Sequence, residues 1–113
     1  MPEGIASGSQ TATLDTDHTL FTQAAPAGGA AYFFRVSTAN LEDSEILVLR
    51  FQSRVSALAA FEDVYRSVYR HTQSDTLKVS PIIPVEAAIE VRAILRQEGG
   101  TGRAFLWALV DAR

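Results

Sequence analysis

Residues 45 to 55 read EILVLRFQSRV, and their side chains alternate with a period of two. Leu47, Leu49, Phe51 and Val55 fall on one side, and Ile46, Val48, Arg50, Gln52 and Arg54 on the other. Successive side chains of a strand point to opposite faces, so this run reads as a strand with one face on a core. Nothing else in the chain limits its fold as strongly.

The same period recurs along the sequence. In AYFFRVS, Tyr32, Phe34 and Val36 oppose Phe33, Arg35 and Ser37. In AAIEVRAILRQ, residues 87–97, Ile89, Val91, Ala93 and Leu95 point inward. Glu90, Arg92 and Arg96 point outward there, with Ile94 interrupting the polar face. TLKVS, residues 76–80, is a short strand, and residues 12–14 and 19–23 are short edge strands around the turn residues Asp15 and Asp17. AAPAGG at 24–29 and the polar stretch from Asn40 to Ser44 are breaks. PIIP at 81–84 is a crossing loop or an edge, because proline gives a sheet no ladder donor.

Residues 57–71 carry two periods at once. Phe61, Val64, Tyr65, Val68 and Tyr69 make a helical stripe, yet Tyr65, Ser67 and Tyr69 also alternate with Val64, Arg66, Val68 and Arg70. Valine and tyrosine favour a strand, as do the neighbouring segments, so 63–71 is predicted as a strand. Residues 57–62 leave room for one short helical turn, from Leu58 to Phe61. In the last segment, AFLWALV, Phe105, Trp107 and Leu109 are predicted core. Ala104, Leu106, Ala108 and Val110 face the other way. A strand apolar on both faces is covered twice, so Leu106 and Val110 belong under a second layer or at a subunit contact.

These segments predict an all-β chain, an antiparallel β-sandwich or jelly roll of about seven to eight strands. Its 113 residues suit one domain, placed at 13–113. Residues 1–12, MPEGIASGSQTA, are small and polar around a lone Ile5 and read as a flexible N-terminal arm. The apolar run from Phe105 to Val110 is too short to span a membrane, and no secretory signal is visible. Cysteine is absent, which removes disulfides and thiolate chemistry and fits assembly in a reducing cytoplasm, or any environment where the fold manages without staples.

Catalytic patterns are hard to find. QEGGTGR, residues 97–103, has the glycines of a phosphate loop, but a phosphate loop leads into a helix and this segment leads into a strand. Gly99, Gly100 and Gly102 are predicted as positive-φ positions of a hairpin loop. The carboxylate pairs Asp15/Asp17, Glu42/Asp43 and Glu62/Asp63 lie in or beside turns, where solvation is their ordinary role. His18 and His71 show no metal-ligand spacing and stand beside loop residues. No catalytic residue, cofactor or metal is assigned.

The arginines are more informative. Lysine occurs once and arginine nine times, and six arginines form pairs four apart: Arg50/Arg54, Arg66/Arg70 and Arg92/Arg96. On a strand each pair stands on one face. One reading is a solvated face neutralised by Glu62, Asp63 and Glu90. The other is a contact face for an acidic partner, to which the planar guanidinium binds carboxylates in a bidentate manner. A net charge of −3 argues against nucleic acid as that partner. Of the aromatics, Phe33, Phe34, Phe51, Phe61, Tyr65, Tyr69, Phe105 and Trp107 are mostly core, while Tyr32, Tyr65 and Tyr69 are also candidates for an oligomer face.

The order of AYFFRVSTANL, EILVLRFQSRV, DVYRSVYRHTQSDTLKVSPIIP and AILRQEGGTGRAFLWALV resembles small tailed-bacteriophage virion proteins of the capsid decoration (cement) type. The resemblance implies a jelly-roll-like sandwich on the outer surface of a virion, assembled in the host cytoplasm. It implies a homo-oligomer, such as a trimer, bound to the major capsid protein, with no membrane, no active site, and strand rather than helix at 67–81. The expected contact set is Arg50, Arg54, Arg66, Arg70, Arg92 and Arg96, with Leu106 and Val110. A neck, tail or fibre protein that binds a host glycan is the alternative. A small β-sandwich enzyme or ligand-binding module is a third reading.

Overall fold

The computed structural model describes residues 3–56 and 58–113. Among them there is no helix, and nine strands form two antiparallel sheets. The strands are β1 (Glu3–Thr11), β2 (His18–Ala24), β3 (Ala30–Ser37), β4 (Ile46–Ser53) and β5 (Glu62–Arg70). They continue as β6 (Leu77–Val79), β7 (Ile83–Val85), β8 (Glu90–Glu98) and β9 (Ala104–Asp111). One sheet runs β1-β9-β3-β6, with β7 also on β3, and the other runs β2-β8-β4-β5.

The pairings are nested. β4 pairs with β5, β3 with β6 and β7, β2 with β8, and β1 with β9. They are the rungs of one long hairpin wound around a core, which is jelly-roll topology. Connections therefore cross between sheets everywhere except from β4 to β5 and from β6 to β7. The β8–β9 connection crosses too, so QEGGTGR is a corner between sheets and not the hairpin expected from its glycines.

The core forms where the period of two meets itself across the gap. Tyr32, Phe34 and Val36 of β3, with Phe105 and Leu109 of β9, face Leu47, Leu49 and Phe51 of β4 and Val91, Ala93 and Leu95 of β8. Phe21, Phe34 and Phe51 pack edge to face, with centroids 5.1–6.3 Å apart, an arrangement that adds to simple burial. Each fully buried side chain of this size contributes about 1.5–3 kcal/mol. Trp107, predicted as core, packs against it while only partly buried, with its ring 5.5 Å from that of Phe21. Val55 lies beyond the end of β4 and is exposed, so it leaves the core series.

Several boundaries differ from the sequence expectation. Within the arm predicted at 1–12, residues 3–11 are the edge strand β1; Met1 and Pro2 lie outside the described residues. Its small residues are what its position needs, because a side chain at Gly8 would press on the Trp107 indole at 3.1 Å. Ile5 and Ala6 pack against the core. Residues 12–14 are not a strand, and Ala12 instead takes a backbone bond from its N–H to the Arg103 carbonyl. Of the helical turn expected at 57–62, Ala57 lies outside the described residues. Ser56 and Ala59 close a tight turn, and Glu62 already begins β5. The proline segment is an edge, as one of its two readings had it. Pro84 stands in β7, and Ser80 ties the break between β6 and β7 to the N–H and C=O of Phe34.

Candidate partner-binding face

Five of the paired arginines lie on three adjacent strands, β5, β4 and β8, with Arg54 just past the end of β4, and register brings them together. Arg50 is directly opposite Arg66 on one side and Ile94 on the other. Arg92 is opposite Gln52, and Arg96 is opposite Val48. All six arginines therefore share the outer face of one sheet. The chain alone showed each pair on one side of its own strand, and the register makes one surface of them.

The middle of that face is apolar. Val48 and Ile94 are buried on the outer side of the sheet, with Arg96 and Arg50 as their register partners. This explains why Ile94 interrupts the polar face. Above it, Asp17 reaches in from the loop before β2. Its two carboxylate oxygens accept from Arg50 Nη2 at 3.0 Å and pair with Arg96 Nη1 at 3.5 Å. Arg96 Nε also donates to Glu98 at 3.0 Å, and the hydrogen bonds of Glu98 and Asp17 hold its guanidinium above its ordinary pKa. At the other end Arg54 pairs with Glu90. Arg92 donates to Gln52 Oε1 at 2.7 Å, and Gln52 donates to Asp63 at 2.7 Å.

Phe61 belongs to this face and not to the core. Its ring lies under the guanidinium groups of Arg54 at 4.8 Å and Arg92 at 4.1 Å, within the range of cation–π attraction. The sequence reading placed it inside with the other aromatics, which are ordinarily core. Asp17 was missed as well, since nothing in the sequence around a turn aspartate links it to arginines more than thirty residues away. Of the carboxylates expected to neutralise the face, Glu90 pairs with an arginine, while Asp63 is held by Gln52. Among the described residues Arg66 and Arg70 make no ion pair, and both are exposed. Asp17, Arg50, Arg66 and Arg96 border a shallow depression of about 310 Å³.

Leu106 and Val110 are elsewhere. They stand on the outer face of the other sheet, beside Phe33, Ala108, Leu77 and Val79. Leu106 is 64 % exposed, Leu77 50 % and Val79 49 %, with Arg35 as the charge among them. The expected contact set is thus split between two opposite faces, and one partner surface cannot cover it. Tyr32 is fully buried, and Tyr65 and Tyr69 point between the sheets, which removes them from an oligomer face.

The QEGGTGR corner is a structural joint. The Glu45 side chain, 2 % exposed, accepts from the backbone N–H groups of Glu42 and Thr101 at 3.0 and 3.1 Å and from the Arg103 guanidinium at 3.0–3.2 Å. Gln97, fully buried, donates to the carbonyls of Gly99 and Thr101 and accepts from the Arg103 N–H. Burial by itself would raise the Glu45 pKa, but the bonds from Arg103, Glu42 and Thr101 outweigh it and hold the carboxyl below its ordinary value. A carboxylate already occupies the place a phosphate would take. Gly100 has positive φ and leaves no room for a Cβ beside Glu45, whereas Gly102 is required by its approach to the Ala12 carbonyl and not by a positive φ as predicted.

Both histidines serve the backbone. His18 Nε2 accepts from the Thr13 N–H at 2.9 Å, and His71 Nδ1 from the Ser44 N–H at 3.1 Å. Among the described residues no cluster of three or more His, Asp or Glu side chains is placed to hold a metal ion. No protein-family model matches the chain, and no curated protein or solved structure is significantly similar to it.

Proposed function

We propose that this chain is a non-enzymatic structural protein of a tailed-bacteriophage virion, of the capsid decoration type. In this reading it sits on the outer capsid surface and binds and stabilises adjacent major capsid protein subunits. The observation that carries the reading is the pair of unlike faces on opposite sides of one small sandwich. The apolar face suits association of like copies, where burial of Leu77, Val79 and Leu106 favours a homo-oligomer. The arginine face suits an acidic capsid surface, where guanidinium–carboxylate pairs set orientation and register.

The resemblance in segment order supports the same reading, and jelly-roll topology agrees with it. Topology alone would not distinguish it from other roles, since sandwiches serve many functions. Mass spectrometry and cryo-EM of purified virions test it. The expected result is this chain on the outer shell at a fixed ratio to the major capsid protein. Its absence from particles overturns the reading. Its presence only at a neck, tail or fibre, with specific binding on a glycan array, replaces decoration with host recognition.

A further inference from the structure

Within the arginine face, charges are not evenly matched. Arg50 and Arg66 are directly opposite in register, and like charges in such a pair destabilise a sheet. Asp17 relieves only one side of the conflict: its oxygens go to Arg50 and Arg96, and both contacts lie on the β8 side of Arg50. Asp63, which also borders the depression, accepts no hydrogen bond from Arg66 and takes one from Gln52 Nε2 instead. Arg66 faces solvent on an edge strand with its five donors free of any ion pair. Asp17 shows that a carboxylate fits these guanidinium groups, and on the β5 side Arg66 has no such ion pair among the described residues.

We propose that the depression between Arg50 and Arg66 is a subsite for one carboxylate side chain presented by a partner protein. Arg66 supplies the planar fork and Arg50 the second charge, with Asp17 paired to Arg50 and Arg96 beside them. The partner is a protein that presents a single carboxylate rather than a nucleic acid, because Arg66 is the one guanidinium at the depression without an ion pair among the described residues, while Asp17, Asp63 and Glu98 repel a run of phosphates. This inference rests on the reading of the arginine face as the partner-binding face.

The test uses the full chain with a short peptide carrying one glutamate among neutral residues, measured by calorimetry at low salt, with inorganic phosphate and a single-stranded DNA oligonucleotide as competitors. The peptide is expected to bind, and Arg66→Ala to weaken it about fivefold. Arg66→Lys recovers only part of the loss, because it restores the charge and not the fork. Arg35→Ala, on the opposite face, leaves binding unchanged. Arg66→Ala is also expected to melt no lower than wild type, since a like-charge pair is lost. Failure of the peptide to bind, equal binding by Arg66→Ala, or displacement by phosphate or DNA at equal concentration overturns the subsite. Capsid binding separates the two ideas. If replacing all six arginines abolishes it and Arg66→Ala does not change it, the face stands and the subsite falls; if neither has an effect, both fall.

Discussion

Arginine meets carboxylate in two regions of this molecule, and the two do different work. At the corner before β9, Glu45 is buried with its oxygens bonded to Arg103 and to the N–H groups of Glu42 and Thr101. On the outer face of the β2-β8-β4-β5 sheet, Asp17 is half exposed and the arginines it meets are about a third exposed. A buried carboxylate stripped of its partners leaves unmet hydrogen bonds and an uncompensated charge. An exposed pair is solvated either way and adds about 0–1 kcal/mol. The corner is therefore part of the fold, and the face is available for recognition.

The largest expected effect is at the corner. Glu45→Ala should cost about 2–3 kcal/mol and lower the melting temperature by roughly 10 °C or more. Thermal unfolding followed by circular dichroism measures it, and a change of only a degree or two would remove the distinction between the regions. Next in size is Gly100→Ala, where positive φ and the missing space beside Glu45 act together; a loss of about 1–3 kcal/mol is expected in the same measurement.

The pH dependence is smaller and has a definite sign. The folded pKa of Glu45 lies below its ordinary value of 4.5. Its contribution to stability is complete above that value and is lost as pH falls from about 4.5 through the folded pKa, because the unfolded chain takes up the proton first. Melting temperature should therefore fall between pH 5 and pH 3, and less steeply in Glu45→Gln. Equal slopes would place the acid sensitivity elsewhere. The smallest effect on stability is expected for the face: replacing all six paired arginines by glutamine should leave the melting temperature within about 5 °C of wild type. Opposite the arginines, the proposed association through the apolar face predicts a homo-oligomer for the wild-type chain in analytical ultracentrifugation and a folded monomer for Leu106→Asp with Val79→Asp.

Much of the sandwich was legible because period two is a local signal. Tyr32, Phe34 and Val36, or Val91, Ala93 and Leu95, declare their face within seven residues. Edge strand β1 was not legible, since its glycines and serines carry no alternation and gain their place only from Trp107 and β9. The arginine pairs could be read as pairs, but their union on one face is a matter of register between β5, β4 and β8. Asp17, Phe61 and Glu45 could not be read at all. Each is placed by long-range contacts, and alone each looks like an ordinary turn acid or core aromatic.

The central claim is that the arginine face recognises a partner and does not hold the fold together. The most direct measurement is occupancy of expanded capsids by the wild-type chain and by the variant with glutamine at positions 50, 54, 66, 70, 92 and 96, both verified as folded. The account predicts saturable binding by wild type, weakened by added salt, and little or none by the variant. Equal occupancy by the two folded proteins would contradict it.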